Sequence, residues 1–302
     1  MQIISGTTEF HIDGKSAIAI GKFDGIHLGH KKLLKYILEE KKDGLKSVVF
    51  TFDPSPEEFF TGHKVRQLFT REEKRREFEK LGIDVLIEFP LTDETAATEP
   101  EDFVRRILVG QLNADYIAAG TDVSFGAGGR GDQHLLRSLV GELSYELELI
   151  DKVRLDGAEV SSTRVRNEVA DGNMAMAERL LGGYYSVSGI VEHGRHIGHT
   201  IGIPTVNILP PEDKLLPPYG VYSSRVHLGE KTYDGMTNIG RKPTISEKEK
   251  VGVETYIYDY EGDAYGEFIE VELLRFVRPE IKFENLEMLK AQIQSDLESA
   301  RA

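Results

Sequence analysis

The stretch Gly21–His30, GKFDGIHLGH, joins a predicted strand to a predicted helix and decides the fold of the first half of the chain. The apolar run 16–20 before it is typical of a buried strand, and leucines and isoleucines at helical spacing follow it. His27 and His30 are three residues apart, so they would share one face of the first helical turn. Free backbone N–H groups and the helix dipole favour an anion there. The stretch therefore predicts a βα unit that binds phosphate.

The composition of the chain limits the classes of protein to which it can belong. Its 302 residues favour two domains. A net charge of -14 disfavours non-specific binding of nucleic acid, because a phosphate backbone needs Lys and Arg to displace its counterions. The absence of cysteine excludes disulfides and thiolate metal sites and fits a cytoplasmic location. We find no signal-peptide pattern and no apolar run near the roughly 18–20 residues of a membrane helix, so we expect no membrane partner.

Strands and helices alternate through the first half of the chain. The predicted elements are strands at 46–52, 84–89, 114–120, 142–150 and 153–155, and helices at 72–81, 100–112, 162–170 and 174–181. Alternating elements of these lengths predict a parallel sheet with helices on both faces.

The pattern changes at Gly182-Gly183. The strands predicted beyond it are 185–192, 221–228, 231–239, 252–260 and 268–276. Short strands with turn residues between them predict a small antiparallel β-barrel. Apolar residues at helical spacing from Leu286 to Leu297 predict a terminal helix that packs on the barrel. We therefore expect an α/β plus β architecture with domains at 1–182 and 183–302.

Four segments of the first domain follow predicted strands or begin a helix. They are the stretch Gly21–His30, the segments 51–56 and 120–126, and the segment 161–166. Ligands of open parallel sheets bind outside the carboxyl ends of the strands, so these segments are candidates for one pocket. Each segment alone is more often structural, as a capped helix start or a glycine turn. Their occurrence in order on one βα scaffold favours a functional site.

Two of these segments carry a resemblance to a known family. Gly21–His30 resembles the His-x-Gly-His signature of the nucleotidyltransferase superfamily, and 161–166, SSTRVR, resembles its second signature. Over residues 16–301 the chain resembles the bifunctional bacterial riboflavin kinase/FAD synthetases. The resemblance implies a Rossmann-like nucleotidyltransferase domain followed by a β-barrel riboflavin kinase domain. It also implies two reactions, in which ATP phosphorylates riboflavin to FMN and then adenylylates FMN to FAD with release of pyrophosphate.

The resemblance also implies roles for residues of the first domain. His27, His30 and Arg166 would stabilise charge on phosphate oxygens during adenylyl transfer, without a covalent intermediate. Imidazole can donate hydrogen bonds to phosphate and can become charged near neutral pH. The residues implied to bind ATP are Gly21, Phe23, Asp24, His27, His30, Ser162, Thr163, Arg164 and Arg166. Those implied to bind the flavin are Asp122 and Phe125.

The second domain carries a separate set of candidate residues. The run 202–207, GIPTVN, resembles the kinase signature of the family, in which Thr205 and Asn207 would hold Mg²⁺ and, with Gly198, the ATP phosphates. Glu254 matches the general base that would take the proton of the ribityl 5′-hydroxyl. Without the resemblance, Glu254 is more simply an outward-facing strand residue. Arg241 would contact the flavin or a phosphate.

Two other functions stay open at this point. Ser55 and Val123 stand where the family commonly has His and Phe, so the chain could be a riboflavin kinase with weak or absent adenylyltransferase. It could also be a non-catalytic sensor of flavin or nucleotide. Loss of a residue such as His30 or Glu254 would have been the natural sign of a sensor, and both are present. No feature of the sequence predicts an oligomeric state.

Overall fold

A computed structural model describes residues 1–193, 202–242 and 250–301. Its internal contacts divide the chain into two compact units, Met1–Ser162 and Thr163–Ala302. Nearly all of the helix Ser162–Ala170 therefore falls with the second unit. The domain boundary between residues 182 and 183 stays a prediction.

The first unit is built on a six-stranded sheet. Its strands are β1 (Gln2–Ser5), β2 (Ser16–Ile20), β3 (Lys46–Asp53), β4 (Val85–Pro90), β5 (Ala114–Gly120) and β6 (Glu146–Ile150). They lie in the order β1-β4-β3-β2-β5-β6, and every neighbouring pair is parallel. The chain builds outward from β2 through β3 to β4 and then returns to place β5 on the other side of β2. This reversal makes the crevice between β2 and β5 the expected ligand site of the sheet.

Helices cover both faces of the sheet, as the alternating pattern predicted. They are α1 (Leu28–Glu39), α2 (Pro56–Thr61), α3 (Arg71–Lys80), α4 (Asp93–Ala96), α5 (Pro100–Asp102), which continues as a π-helix (Phe103–Gln111), and α6 (Gln133–Leu143). Alternate residues of β2 belong to different apolar clusters: Ile18 packs on one face, and Ala17 and Ala19 pack on the other. A strand covered on both faces reads as a continuous apolar run, which is why β2 was predicted with its observed bounds.

The prediction of a strand at 142–150 was wrong at its start. Helix α6 runs to Leu143, and β6 begins only at Glu146. Asp132 caps α6, because its Oδ1 accepts hydrogen bonds from the backbone N–H groups of His134 and Leu135 at 2.9 and 3.0 Å. Ser144 then ends the helix in the left-handed conformation at φ 58°. No helix was predicted between the glycine-rich loop 126–131 and the strand at 142–150.

The second unit contains a curled six-stranded antiparallel half-barrel, as the short strands predicted. The strands are β9 (Tyr185–Ile190), β10 (Val206–Ile208), β11 (Gly220–Leu228), β12 (Lys231–Lys242), β13 (Lys250–Ile257) and β14 (Phe268–Pro279). Their order is β10-β13-β12-β11-β14-β9. Beyond the end of β9, Glu192 N donates to Asn207 O at 2.8 Å and so brings the two sheet edges together. Two further strands, β7 (Arg154–Leu155) and β8 (Ala158–Glu159), form a short hairpin in the first unit.

Among the described residues, the helices of the second unit are α7 (Ser162–Ala170), whose first residue falls in the first unit, α8 (Met174–Leu181) and α9 (Leu286–Ala300). The predicted terminal helix α9 packs on the sheet through Leu297, and Tyr258 donates from its hydroxyl to Leu297 O at 2.5 Å. Ser223 Oγ donates to Ala300 O at 2.6 Å. The Arg278 guanidinium donates to the Asp296 carboxylate, with Nε and Oδ1 2.7 Å apart. Asp296 is only 3% exposed, so this ion pair fixes α9 to the sheet in a desolvated environment.

Replacing Asp296 with Ala is expected to lower the free energy of unfolding of the second unit by about 3 kcal/mol, because it leaves a largely buried guanidinium unpaired. Urea unfolding followed by circular dichroism measures this change. Asp259→Ala is the matched control, since its ion pair with Arg301 is exposed and should contribute at most about 1 kcal/mol. Equal losses in the two variants would contradict a special role for Asp296.

Candidate active sites

The turn after β2 is held in an unusual backbone conformation. Phe23 and Ile26 have backbone φ values of 49° and 40°, which residues other than glycine rarely adopt. Both side chains are fully buried, and Asp24 ties the turn to distant parts of the unit. Asp24 Oδ1 accepts from Leu68 N at 2.9 Å, and Asp24 O accepts from Ser162 Oγ at 2.8 Å. Surrounding contacts therefore impose the shape of the turn and fix where α1 begins.

The two predicted histidines lie together at the start of α1. His27 is the N-cap, and its Nδ1 accepts from His30 N at 3.4 Å. The two imidazole rings are stacked, with centroids 3.8 Å apart and 13° between their planes. A Cβ atom added to Gly29 would lie 3.1 Å from His27 Cε1, so the glycine between the histidines makes room for the ring. The pair is therefore rigidly placed where a helix N-terminus favours an anion.

Burial determines the protonation of this pair. Desolvation lowers the pKa of His27 to about 4, against the opposing attraction of the Asp24 and Asp122 carboxylates. Desolvation and the neighbouring His27 lower the pKa of His30 well below its usual range. Both rings are therefore neutral at pH 7, whereas the sequence suggested charging near neutrality. Within the described ranges, His30 Nδ1 is buried and has no hydrogen-bond partner.

The stability of the first unit is expected to fall as the pH is lowered from about 6.5 to about 4. The unfolded His27 takes up a proton near pH 6.5 and the folded one only near pH 4, so the unfolded state binds more protons in between. The loss is at most about 1.4 kcal/mol per pH unit for each such histidine. Urea unfolding at pH 7, 6 and 5 measures the slope. His27→Gln should reduce the slope, and the exposed control His134→Gln should leave it unchanged; identical slopes in the two variants would contradict the assignment.

The loop after β5 meets the histidine turn at the predicted crevice. The Asp122 carboxylate is exposed, lies 3.4 Å from Lys152 Nζ, and acts electrostatically on His27. Phe125 lies instead in the core of the first unit, only 3% exposed, with its ring centroid 5.4 Å from that of Phe103. The structure thus brings Asp122, but not the ring of Phe125, to the surface of this crevice. Flavin binding by these two residues stays a prediction.

The second signature divides between the two units. Ser162 contacts the histidine turn through the hydrogen bond to Asp24 O. Thr163, Arg164 and Arg166 lie in the first turns of α7 in the second unit, where Thr163 is exposed and both arginines are half-buried. Arg164 Nη2 lies 3.9 Å from Met176 Sδ. Their binding of ATP phosphates stays a prediction.

The candidate kinase residues come together on β10 and β13. Thr205 Oγ1 donates to Glu254 Oε1 at 2.6 Å. Asn207 on β10 is the register partner of Glu254 on β13, and Asn207 is buried. A cavity of about 340 Å³ opens beside them, lined by Thr205, Asn207 and Thr255 together with Tyr260 and Tyr265. The pairing of two strands that are distant in sequence thus places a carboxylate against the predicted Thr and Asn.

Two other kinase predictions have different outcomes. Gly198 lies outside the described residues. Arg241 is exposed on β12, with its guanidinium carbon 6.0 Å from the centre of the Tyr219 ring. Its contact with the flavin or a phosphate stays a prediction.

The oxygen atoms at this site suit a hard cation. Thr205, Asn207 and Glu254 supply a hydroxyl, an amide and a carboxylate, which are ligand types that Mg²⁺ accepts while it keeps several waters. In the described part of the chain, no three His, Asp or Glu side chains are grouped so as to hold a metal ion. A magnesium ion would therefore depend on these mixed oxygens and on the phosphates of a bound nucleotide.

Sequence reasoning missed a charged cluster beside the histidine turn. Glu88 on β4 is 5% exposed and accepts hydrogen bonds from both Arg71 and Arg75 of α3. Arg71 also pairs with Asp53 at the end of β3 at 3.0 Å. The pattern predicted the helix but carried no signal for its partners, because those depend on how α3 packs on the sheet.

Two family models match the chain. A model described as FAD synthetase matches residues 9–164, and one described as riboflavin kinase matches residues 181–302. Among the described residues, no helix has the length and apolar character needed to cross a membrane.

Curated relatives match the chain over nearly its full length. Three relatives called bifunctional riboflavin kinase/FMN adenylyltransferase illustrate the match. The one from Escherichia coli K12 is 38% identical over 94% of this chain and 91% of the relative. The one from Listeria monocytogenes is 34% identical over 98% of this chain and 95% of the relative. The one from Bacillus subtilis is 34% identical over 95% of this chain and 92% of the relative. A crystal structure from Streptococcus pneumoniae named macrolide-efflux protein has a TM-score of 0.87 at 28% identity and covers 100% of this chain and 99% of that one.

Proposed function

The chain belongs to the family of bifunctional riboflavin kinase/FMN adenylyltransferases, and from this premise we propose how its residues divide the two reactions. The protein is an enzyme of FAD biosynthesis. In the first reaction, the 5′-hydroxyl oxygen of riboflavin bonds to the γ-phosphorus of ATP, and ADP leaves. In the second, a phosphate oxygen of FMN bonds to the α-phosphorus of another ATP, and pyrophosphate leaves.

In the kinase reaction, Glu254 is the general base. Its Oε1 accepts from Thr205 Oγ1 at 2.6 Å, which orients the carboxylate, and the carboxylate takes the proton of the 5′-hydroxyl as the phosphoryl group transfers. Proton removal makes the hydroxyl oxygen a better nucleophile as the new bond to phosphorus forms.

Thr205 and Asn207 are the residues that would hold Mg²⁺, together with the phosphates of ATP. When bound, the ion neutralises charge on the phosphate oxygens. Gly198 and Arg241 are assigned to the same nucleotide and flavin through the family resemblance alone.

In the adenylyltransferase reaction, the neutral imidazoles of His27 and His30 donate hydrogen bonds to the phosphate oxygens of ATP. Donors that are already in position stabilise the charge that builds up in the transition state without reorganising. Asp122, whose charge acts on His27, orients the nucleotide or the flavin from the far side of the crevice. The other residues assigned to this reaction by resemblance are Gly21, Phe23, Asp24, Ser162, Thr163, Arg164 and Arg166 for ATP and Phe125 for the flavin.

The stacked histidine pair at the start of α1 is the observation that carries the two-step proposal. Adenylyl transfer is the activity that Ser55 and Val123 put in question, and the pair is intact despite both residues. A cytoplasmic location, with small molecules as the partners and neither nucleic acid nor membrane, is proposed from the acidic, cysteine-free composition.

Incubation of the pure protein with riboflavin, ATP and Mg²⁺, followed by chromatographic separation of the flavins, tests the proposal. We expect FMN to appear first and FAD to follow. If FMN forms without FAD, the protein is a riboflavin kinase alone. If neither product forms, it is a sensor of flavin or nucleotide. Either result would contradict the two-step function.

A further inference from the structure

A second cleft opens beside the histidine turn. Its polar lining includes three cationic side chains, two carboxylates and two neutral groups: Lys22, Arg71, Lys74, Asp53, Glu88, Ser55 and Gln67. It lies at the carboxyl end of β3 and beside the middle of β4, and Lys22 belongs to the turn itself. None of the roles proposed above uses Lys22, Gln67 or Lys74.

Aromatic packing connects this cleft to the histidine pair. Phe78 lines the cleft, and its ring centroid is 5.6 Å from that of Phe23. The Phe23 ring centroid is in turn 5.1 Å from that of His30. Only one buried ring therefore separates the wall of the cleft from the stacked imidazoles.

Lys74 on α3 is a half-buried cation in this cleft. The carboxylates of Asp24, Asp53 and Glu88 act on it from the turn, from β3 and from β4, and Arg71 on its own helix opposes them. In the part of the chain that the structure describes, no hydrogen bond or ion pair engages the Lys74 ammonium.

All three carboxylates have closer partners of their own. Asp24 accepts from the backbone of Leu68, Asp53 pairs with Arg71, and Glu88 pairs with Arg71 and Arg75. The charge of Lys74 is therefore available to a bound anion.

The cleft also contains polar groups that the protein does not satisfy by itself. Gln67 Oε1 is buried without a hydrogen-bond partner among the described residues, which is uncommon for a buried amide. Ser55 Oγ accepts from Glu58 N at 3.3 Å, so the hydroxyl can still donate its proton to another group. An anion held here would accept from the Ser55 hydroxyl, and a phosphate that keeps one proton would also donate to Gln67 Oε1.

The size of the cleft restricts the kind of ligand that it can hold. It has about 40 Å³ of space, a few times the roughly 10–15 Å³ that one water molecule needs. This space suits the oxygens of one phosphate group rather than a flavin ring system.

The position of the cleft matches the second reaction. β2 lies between β3 and β5 in the sheet, so the histidine turn after β2 has the β2–β5 crevice on one side and this cleft on the other. Displacement at phosphorus requires the attacking and leaving oxygens to be roughly in line. An ATP in the crevice and an acceptor phosphate in the cleft would approach the turn from opposite sides.

We propose that this cleft binds the phosphate monoester of FMN and that Lys74 is the cation that holds it for attack on ATP. This inference rests on the proposed adenylyltransferase function. An oxygen of the held phosphate bonds to the α-phosphorus, the bond from that phosphorus to the bridging oxygen breaks, and pyrophosphate leaves with the electron pair.

The electrostatic environment of Lys74 supports this role. Burial lowers the pKa of its ammonium group, against the attraction of the three carboxylates. A partly desolvated cation interacts with a phosphate anion more strongly than one in water, and binding of the anion would raise the Lys74 pKa again.

Steady-state kinetics of FAD formation from supplied FMN test the inference. We expect Lys74→Met to raise the KM for FMN roughly 10- to 100-fold, as expected for loss of a charged hydrogen bond, and to leave the KM for ATP within about twofold. The KM for FMN of Lys74→Arg should lie between those of wild type and Lys74→Met, because arginine keeps the positive charge. Lys80→Met, an exposed lysine at the end of the same helix, is the matched control.

An unchanged KM for FMN, or a raised KM for ATP in its place, would overturn the inference. Failure of the wild-type protein to form any FAD would instead refute the function on which the inference rests, so the two failures are distinguishable.

A second measurement needs no variant. The full-length protein is labelled with an amine-acylating reagent, and the extent of labelling is read for each lysine peptide by mass spectrometry. FMN should protect Lys74, riboflavin should not, and Lys80 should be labelled equally with either flavin. Equal protection of Lys74 by riboflavin, or no protection by FMN, would show that the cleft does not bind the phosphate.

Discussion

The Glu254→Gln variant is expected to form FMN about 10²- to 10⁴-fold more slowly than wild type, the usual contribution of a general base. The amide has nearly the shape of the carboxylate, and its oxygen can still accept the hydrogen bond from Thr205 Oγ1. The amide is not basic enough to take the proton of the 5′-hydroxyl of riboflavin. FAD formation from supplied FMN should continue at the wild-type rate, because the histidine pair lies in the other unit.

Chromatography of the flavins measures both activities of this variant in one assay. Glu230→Gln, in the exposed turn between β11 and β12, is the matched control and should keep both activities. A parallel loss of both activities in Glu254→Gln would contradict the assignment of separate sites. Unchanged FMN formation would leave Glu254 as an ordinary strand residue.

The His30→Ala variant is expected to lose about 10²- to 10³-fold in the rate of FAD formation, as on removal of one donor from a preorganised anion site. The imidazole is neutral at pH 7, so the loss reflects a hydrogen bond to phosphate rather than a full charge. FMN formation from riboflavin should be spared. The same two-product assay provides the measurement.

His30 also packs on Phe23 and His27, so its removal leaves a small cavity. His30→Gln restores part of the volume and a donor, and it should recover part of the rate if the hydrogen bond is what matters. His134→Ala, an exposed histidine on α6, is the control. A full rate of FAD formation in His30→Ala would remove the histidine pair from the mechanism.

The parts of the fold that the sequence predicted well are those with strong local signals. The predicted bounds equal the observed ones for strands β2 and β5 and for helices α7 and α8. Buried parallel strands form continuous apolar runs, and these helices have clear caps or apolar stripes. The short strand β10, Val206–Ile208, escaped prediction. It exists because it pairs with β13, and three residues carry no periodicity of their own.

The candidate sites divide in the same way. His27, His30, Thr205, Asn207 and Glu254 were found because their types and order match motifs that can be read along the chain. Lys74 was not found, since a lysine on an ordinary charged helix carries no motif. Its importance depends on three carboxylates that reach it from separate segments.

The sequence by itself determined which elements form and which residue types carry the chemistry, because both follow from local periodicity and short motifs. Only the tertiary structure decided that β2 lies between β3 and β5, that Glu254 meets Thr205, and that the two histidines are neutral at pH 7. Strand order and burial arise from contacts between residues far apart in the chain. Desolvation, which sets the pKa of His27 and His30, depends on every atom packed around the rings and so has no counterpart in the local sequence.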